Sequence, residues 1–116
     1  IPQHVDTLGV KVDLDFDRVI QNNDVLNMLR VQNERMNLDY FPSNRDYVFQ
    51  YGLTQERLNK GKNKPLIMHP GPINRGVEIS SEVADSSDAI ILNQVENGVA
   101  IRMAVLYLLA SKLNRN

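Results

Sequence analysis

The chain has 116 residues, 42% hydrophobic and 23% charged, which is enough for one small domain with a modest core. Its 13 basic and 14 acidic side chains leave a net charge of -1, so no general field attracts nucleic acid or an anionic membrane. The absence of cysteine excludes disulfides, a thiolate nucleophile and Cys-based metal sites. The longest apolar run, 104–110, is too short to span a bilayer, and nothing in the sequence indicates export.

The N-terminal third predicts two strands with a helix between them. Residues 9–14 alternate apolar and polar, the period of a strand with one covered face. Asp15 is suited to cap a helix that runs to about Gln21. The compact apolar run 25–29 lies between turn formers, which favours a buried parallel strand.

Two short helices are predicted in the middle of the chain. Ser43 or Asn44 is suited to cap a helix over 45–51, which Gly52 would end. The stretch 54–57 approximates a capping box and predicts the start of the second helix.

The stretch 68–78, with the sequence MHPGPINRGVE, stops a predicted strand at 66–68. Two prolines flanking a glycine cannot continue a ladder or begin a helix, because proline lacks the N–H and fixes φ. The backbone must therefore turn sharply and leave carbonyl groups free. We predict a cis peptide bond at Gly71-Pro72, since X-Pro bonds are the usual place for one.

The ends of the two apolar runs, 25–29 and 66–68, define a candidate site. We predict that they are neighbouring parallel strands with Arg30 and Pro70 at the same edge, where open α/β sheets bind ligands. Arg30 and Gln32 lie on one side of an extended chain. An arginine fork suits a carboxylate, so both a ligand carboxylate and a surface ion pair are compatible with Arg30.

The C-terminal quarter is predicted to be helical. Residues 86–88 are suited to cap a helix over 89–95, which Asn97-Gly98 should break. A second, long helix over 99–113 is apolar around much of its girth, so it needs a partner. In this chain alone we expect an exposed apolar patch on that helix.

Three ordered segments resemble one family. The run HPGPINRGVEI at 69–79 is similar to the signature near the C-terminus of aspartate carbamoyltransferases. MLRVQNER at 28–35 resembles the aspartate-binding segment of that family, and NGVAIR at 97–102 resembles the start of its last long helix. The resemblance implies an α/β fold: part of a Rossmann-like parallel sheet with flanking helices, ending in a long C-terminal helix.

The resemblance also implies a domain organisation. Residues 1–116 correspond to the C-terminal portion of the aspartate-binding domain, and 98–114 to the terminal helix that packs on a carbamoyl phosphate domain missing here. The sequence starts at Ile1 rather than methionine, so we interpret it as part of a longer chain. The Ser-x-Arg-Thr type phosphate motif of carbamoyltransferases is not in this sequence. We therefore expect the 116 residues alone to be inactive.

The resemblance assigns roles to individual residues. Arg30 and Gln32 would bind L-aspartate. The backbone carbonyls of Pro70 and Gly71 would accept hydrogen bonds from the carbamoyl amide and the attacking amine, with Pro72 setting their direction. Supporting roles fall to Glu34, Arg35, Arg75, Glu78 and Arg102, and Glu34 is expected to orient Arg30 or to pair across the cleft. No metal and no cofactor is implied.

His69 could be considered a general base, but we predict a structural role. It follows a buried strand, where histidine is often hydrogen-bonded within the fold, and the resembled enzymes take their catalytic histidine from the other domain. Gly71 is commonly a larger apolar residue in that family. His4, in an irregular segment, is expected to be exposed.

The implied activity is formation of N-carbamoyl-L-aspartate and phosphate in de novo pyrimidine (UMP) biosynthesis. The resemblance further implies a cytoplasmic homotrimer of catalytic chains, with regulatory or dihydroorotase subunits as candidate partners. One alternative is an ornithine carbamoyltransferase, although that family generally has His-Cys-Leu-Pro where this chain has HPGP at 69–72 and no cysteine. Another is a non-catalytic α/β binding or assembly fragment.

Overall fold

The computed structural model describes residues 4–32 and 43–113. Helices lie before, between and after the two strands along these residues, which makes the fold α/β as predicted. A 3-10 turn, Val5–Leu8, is followed by α1 (Phe16–Asn22), β1 (Val25–Asn27), α2 (Asn44–Tyr51), α3 (Gln55–Lys60), β2 (Leu66–Met68), α4 (Ser81–Ala84) and α5 (Ile91–Leu113).

The two strands form a parallel pair. Val25 lies opposite Leu66 and Asn27 opposite Met68, and the Met28 N–H extends the ladder by donating to the Met68 carbonyl at 2.8 Å. On its other side β2 is flanked by extended backbone, because Ile67 forms an isolated bridge with Ala89. The prediction of neighbouring parallel strands is confirmed, so the residues after β1 and β2 emerge at the same edge.

The core lies between the strand pair and the helices. Its members are apolar side chains that are at most 8% exposed: Ile20, Leu26, Met28, Leu53, Ile67, Ile79, Val83 and Ile91. Burying a side chain of this size stabilises the fold by about 1.5–3 kcal/mol relative to leaving it in water. The core therefore fixes the strand ends from which the two loops of the candidate site emerge.

Helix α1 begins as predicted. The Asp15 side chain accepts a hydrogen bond from the Arg18 N–H at 3.1 Å, which satisfies a free donor of the first turn. Asp13 forms an ion pair with the Arg18 guanidinium at 2.6 Å. The hydrogen bond from Arg18 lowers the pKa of Asp13 to about 2, so this carboxylate stays charged through the neutral range.

The strand predicted over 9–14 is wrong. Residues 10–15 have no regular secondary structure, and Val10, Val12 and Leu14 are exposed. A cavity of about 600 Å³, lined by residues 10–13, α1 and β1, separates this segment from the sheet. An alternating pattern forms a strand only where a neighbouring strand supplies hydrogen-bond partners, and among residues 4–32 and 43–113 none lies alongside.

The caps of α2 and α3 follow the prediction. Ser43 and Thr54 accept hydrogen bonds from backbone N–H groups of their first turns, and the helices end at Gly52 and Gly61. Glycine is needed at position 52 because the backbone of neighbouring residues packs closely against it, and not because its φ is positive. A Cβ there would lie 2.6 Å from the Val48 carbonyl oxygen.

Helix α5 corrects two predictions. It begins at Ile91 rather than at residue 89, because Ala89 pairs with Ile67 in extended conformation. It also continues through Asn97-Gly98, where a break was expected. A glycine inside a helix costs only about 1 kcal/mol, which the remaining hydrogen-bonded residues of a 23-residue helix can offset.

The expected apolar patch is present on α5. Its exposed large apolar side chains are Leu92, Val95, Val99, Ile101, Met103, Val105, Leu106, Tyr107, Leu108 and Leu109. Within the described part of the chain, no helix combines the length and hydrophobicity that crossing a bilayer requires.

The continuity of α5 predicts that Gly98→Ala stabilises the chain by about 0.5–1 kcal/mol. The new Cβ would meet only the Arg102 side chain, at 3.6 Å, so it costs no packing. Urea unfolding of the 116-residue chain measures the change. Gly52→Ala is the matched control and should destabilise, and a loss of stability in Gly98→Ala would contradict an uninterrupted helix.

Candidate functional site

Two loops meet at the carboxyl edge of the parallel pair. Residues 28–32 follow β1, with Arg30 and Gln32 exposed and Val31 buried between them. Pro70, in the loop after β2, is also exposed. The predicted placement of Arg30 and Pro70 at one edge is therefore confirmed.

Glu78 links the two loops through hydrogen bonds to its side chain. Its carboxylate is fully buried, and it accepts hydrogen bonds from the Asn74 N–H at 2.5 Å and from the Val31 N–H at 3.4 Å. The Asn74 side chain adds a third link by donating to the Val31 carbonyl at 2.9 Å. A buried carboxylate is tolerated only where donors satisfy it, so this network fixes Val31, and with it the segment that carries Arg30 and Gln32.

His69 is fully buried beside Glu78, as expected for a histidine that is hydrogen-bonded within the fold. Its Nδ1 accepts a hydrogen bond from the Gly71 N–H at 2.9 Å. Its Nε2 lies 3.3 Å from Glu78 Oε1, in contact but not aligned for a hydrogen bond. The His69 backbone N–H donates to the Gln94 side chain at 2.8 Å, which ties the end of β2 to α5.

The Pro-Gly-Pro turn has the predicted cis bond at Gly71-Pro72. Gly71 has a φ of 68°, in the left-handed region that favours glycine. A Cβ at this position would also lie 3.3 Å from Val95 Cγ2 of α5. Backbone conformation and close packing together account for glycine at a position where the resembled family commonly has a larger residue.

Helix α2 contributes Tyr47 to the surroundings of Glu78. Burial raises the pKa of the Tyr47 hydroxyl, and electrostatic interaction with the nearby Glu78 and Tyr51 raises it further. The Tyr47 and Tyr51 rings pack with centroids 5.8 Å apart. Tyr47 of α2 thus lies close enough to Glu78 for the two groups to interact electrostatically.

The supporting residues predicted from sequence have different surroundings. Arg75 forms a two-point pair with the Asp85 carboxylate at 2.7 and 2.8 Å, which lowers the pKa of Asp85 and fastens the second loop to the end of α4. Arg102 is exposed on α5, and no hydrogen bond or ion pair among the described residues connects it to either loop. Glu34 and Arg35 lie outside the described residues.

This arrangement defines a class of protein: an α/β domain that presents an exposed arginine and an exposed proline turn at the carboxyl edge of a parallel sheet, where such folds bind small ligands. The family model for the aspartate/ornithine carbamoyltransferase, Asp/Orn binding domain, matches residues 4–109. The chain therefore belongs to the aspartate/ornithine carbamoyltransferase family.

Individual relatives agree with this assignment. The aspartate carbamoyltransferase catalytic subunit of Christiangramia forsetii is 59% identical over 115 residues, which are 99% of this chain and 37% of that subunit. The aspartate transcarbamoylase of Trypanosoma cruzi, solved with carbamoyl phosphate and aspartate, matches with a TM-score of 0.61 and 31% identity over 78% of this chain and 28% of that one.

A third relative shows the fold alone. Ornithine carbamoyltransferase from Pyrococcus furiosus has a TM-score of 0.65 at 21% identity, covering 79% of this chain and 29% of that one.

The chain spans little more than a third of the length of the curated relatives it matches. The resemblance inferred from three sequence segments is confirmed.

Proposed function

We propose that this chain forms the aspartate-binding side of an aspartate carbamoyltransferase, which makes N-carbamoyl-L-aspartate and phosphate from carbamoyl phosphate and L-aspartate in pyrimidine biosynthesis. The observation that carries the proposal is the pairing of two loops at one sheet edge, where Glu78 ties the segment of Arg30 to the loop that contains Pro70. The name of the Christiangramia forsetii relative supports aspartate over ornithine as the substrate.

The roles of the residues follow from their chemistry. Arg30 holds one aspartate carboxylate through two parallel hydrogen bonds, and Gln32 adds a neutral donor. The carbonyls of Pro70 and Gly71 accept from the carbamoyl amide and from the aspartate amine. The amine attacks the carbamoyl carbon and phosphate leaves, so catalysis rests on positioning and polarisation without a covalent protein intermediate.

Further assignments stay predictions from the family resemblance. They are the C-terminal location of residues 1–116 in the aspartate-binding domain, the docking of 98–114 on a carbamoyl phosphate domain, the support given by Glu34, Arg35 and Arg102, and the cytoplasmic homotrimer with its regulatory or dihydroorotase partners. The exposed apolar side chains of α5 support the second of these, since such a helix face needs a partner.

The substrate assignment can be tested in a full-length chimera, in which this chain replaces the segment it matches in the Christiangramia forsetii subunit. We expect the chimera to carbamoylate aspartate and to reject ornithine, because Arg30 and Gln32 select a second carboxylate on the amine substrate. Product formation from each amine, with the parent subunit as control, measures this preference.

Two further outcomes bear on the same proposal. The 116-residue chain alone should be inactive, since the expected phosphate motif is absent from it. A chimera that assembles like the parent but prefers ornithine, or carbamoylates neither amine, would refute the proposed function.

A further inference from the structure

We propose that His69 is a positioning residue for this reaction. Its Nδ1 atom holds the Pro70-Gly71 peptide group in the orientation that directs the Pro70 carbonyl towards the substrate. The inference rests on the proposed function, because it assigns a purpose to a carbonyl that the proposed function places against the carbamoyl group. Neither a metal nor a charged histidine is needed for it.

The first step is the geometry of one peptide group. The Gly71 N–H donates to His69 Nδ1 at 2.9 Å, and the Pro70-Gly71 bond is trans. In a trans peptide the N–H and the preceding C=O point in opposite directions. The imidazole is fully buried and Pro70 is exposed, so the Pro70 carbonyl points away from the ring and out of the core.

The second step is the tautomer of the ring. Because Nδ1 accepts a hydrogen bond it carries no proton, so the proton of the neutral imidazole is on Nε2. Nε2 lies 3.3 Å from Glu78 Oε1 and, among the described residues, has no hydrogen-bond partner. The carboxylate beside it favours a proton at Nε2, and therefore a free lone pair at Nδ1.

The third step links both halves of the site. The same Glu78 carboxylate accepts from the Val31 N–H, in the segment that carries Arg30 and Gln32. One buried pair, His69 and Glu78, thus sets the direction of the Pro70 carbonyl and the position of the aspartate-binding segment. If His69 served only for packing, it would not matter which ring nitrogen carries the proton.

Two substitutions separate positioning from packing. In His69→Asn the side-chain oxygen occupies the place of Nδ1 and can still accept from the Gly71 N–H. In His69→Gln the amide nitrogen reaches the place of Nε2, next to Glu78, and the acceptor for Gly71 is lost. Both variants remove the ring, so their losses of packing are similar.

In the full-length chimera we expect His69→Gln to lower kcat on the order of tenfold relative to His69→Asn, the effect of one mispositioned hydrogen bond. The KM for aspartate should differ little between the two variants, because Glu78 still supports Val31 in both. Equal kcat values for Asn and Gln, at matched thermal stability, would overturn the proposal and leave His69 as a packing residue.

Nitrogen chemical shifts of ¹⁵N-histidine in the 116-residue chain test the tautomer without any substrate. We expect His69 to show a bare Nδ1 and a protonated Nε2, and coupling between Nδ1 and the Gly71 amide. A protonated Nδ1 would overturn the inference whatever the enzyme does. An inactive wild-type chimera would instead refute the proposed function, and with it the catalytic purpose of the hydrogen bond.

Discussion

Replacing Arg30 with alanine in the full-length chimera is expected to cost on the order of 2–5 kcal/mol in kcat/KM for aspartate. In the proposed site the change removes both hydrogen bonds to one substrate carboxylate, which then stays buried without its partner. Turnover should fall together with affinity, since the same contact fixes the approach of the amine to the carbamoyl carbon. Steady-state kinetics with aspartate as the varied substrate measures the loss.

Related variants show whether the fork itself matters. Arg30→Lys should restore little activity, because an ammonium group cannot reproduce two parallel hydrogen bonds. Gln32→Ala should behave like Arg30→Ala but more mildly, as a neutral donor is lost. The affinity for carbamoyl phosphate should be nearly unchanged in all three, since the phosphate motif of the family is not in this sequence.

A charge control is available at the opposite edge of the sheet. Lys62, which is exposed and precedes β2, should tolerate alanine without any effect on aspartate kinetics. If Arg30→Ala folded normally and kept the aspartate dependence of the rate, Arg30 would be a surface residue and the proposed site would be wrong.

Local sequence patterns, which involve residues only a few positions apart, predicted the helix caps and the strands of this fold well. Asp15 and Thr54 were identified as caps because the side chain and the N–H it accepts from are three residues apart. The two buried strands were recognised from short apolar runs between turn formers, and their pairing placed Arg30 and Pro70 at one edge. Family resemblance then supplied roles that residue chemistry left open.

Features that depend on distant partners were not predictable in the same way. The alternation at 9–14 has the correct period for a strand, but no strand in the described part of the chain lies beside it. Gly98 has a low intrinsic helix propensity, yet α5 continues through it because one glycine destabilises a helix only slightly. Asn74 links to Val31 across 43 residues, a contact that no local sequence pattern indicates.

The burial of Glu78 gives the second large expected effect. Glu78→Ala leaves the backbone N–H groups of Val31 and Asn74 without their acceptor inside the protein. Each buried donor left unsatisfied costs about 1–3 kcal/mol, and with the vacated space we expect a total of roughly 3–5 kcal/mol. That is a large part of the stability of a typical domain, and urea unfolding of the 116-residue chain measures it.

The stability of Glu78→Gln should lie between that of Glu78→Ala and that of the wild type. The glutamine side-chain oxygen can accept from only one of the two N–H groups, and the shorter hydrogen bond favours Asn74, at 2.5 Å, over Val31, at 3.4 Å, so the NH₂ group faces the Val31 N–H. In the full-length chimera we expect the KM for aspartate to rise and the affinity for carbamoyl phosphate to change little, because the freed Val31 no longer fixes Arg30 and Gln32.

The matched control for Glu78 is Glu56, an exposed carboxylate of α3 that pairs with Lys60. Glu56→Ala should change stability little, because water and salt screen an exposed ion pair, and should leave aspartate kinetics unaltered. Were Glu78→Ala as stable as Glu56→Ala, with an unchanged KM for aspartate, the buried network would not be what holds the aspartate-binding segment against the Pro-Gly-Pro loop.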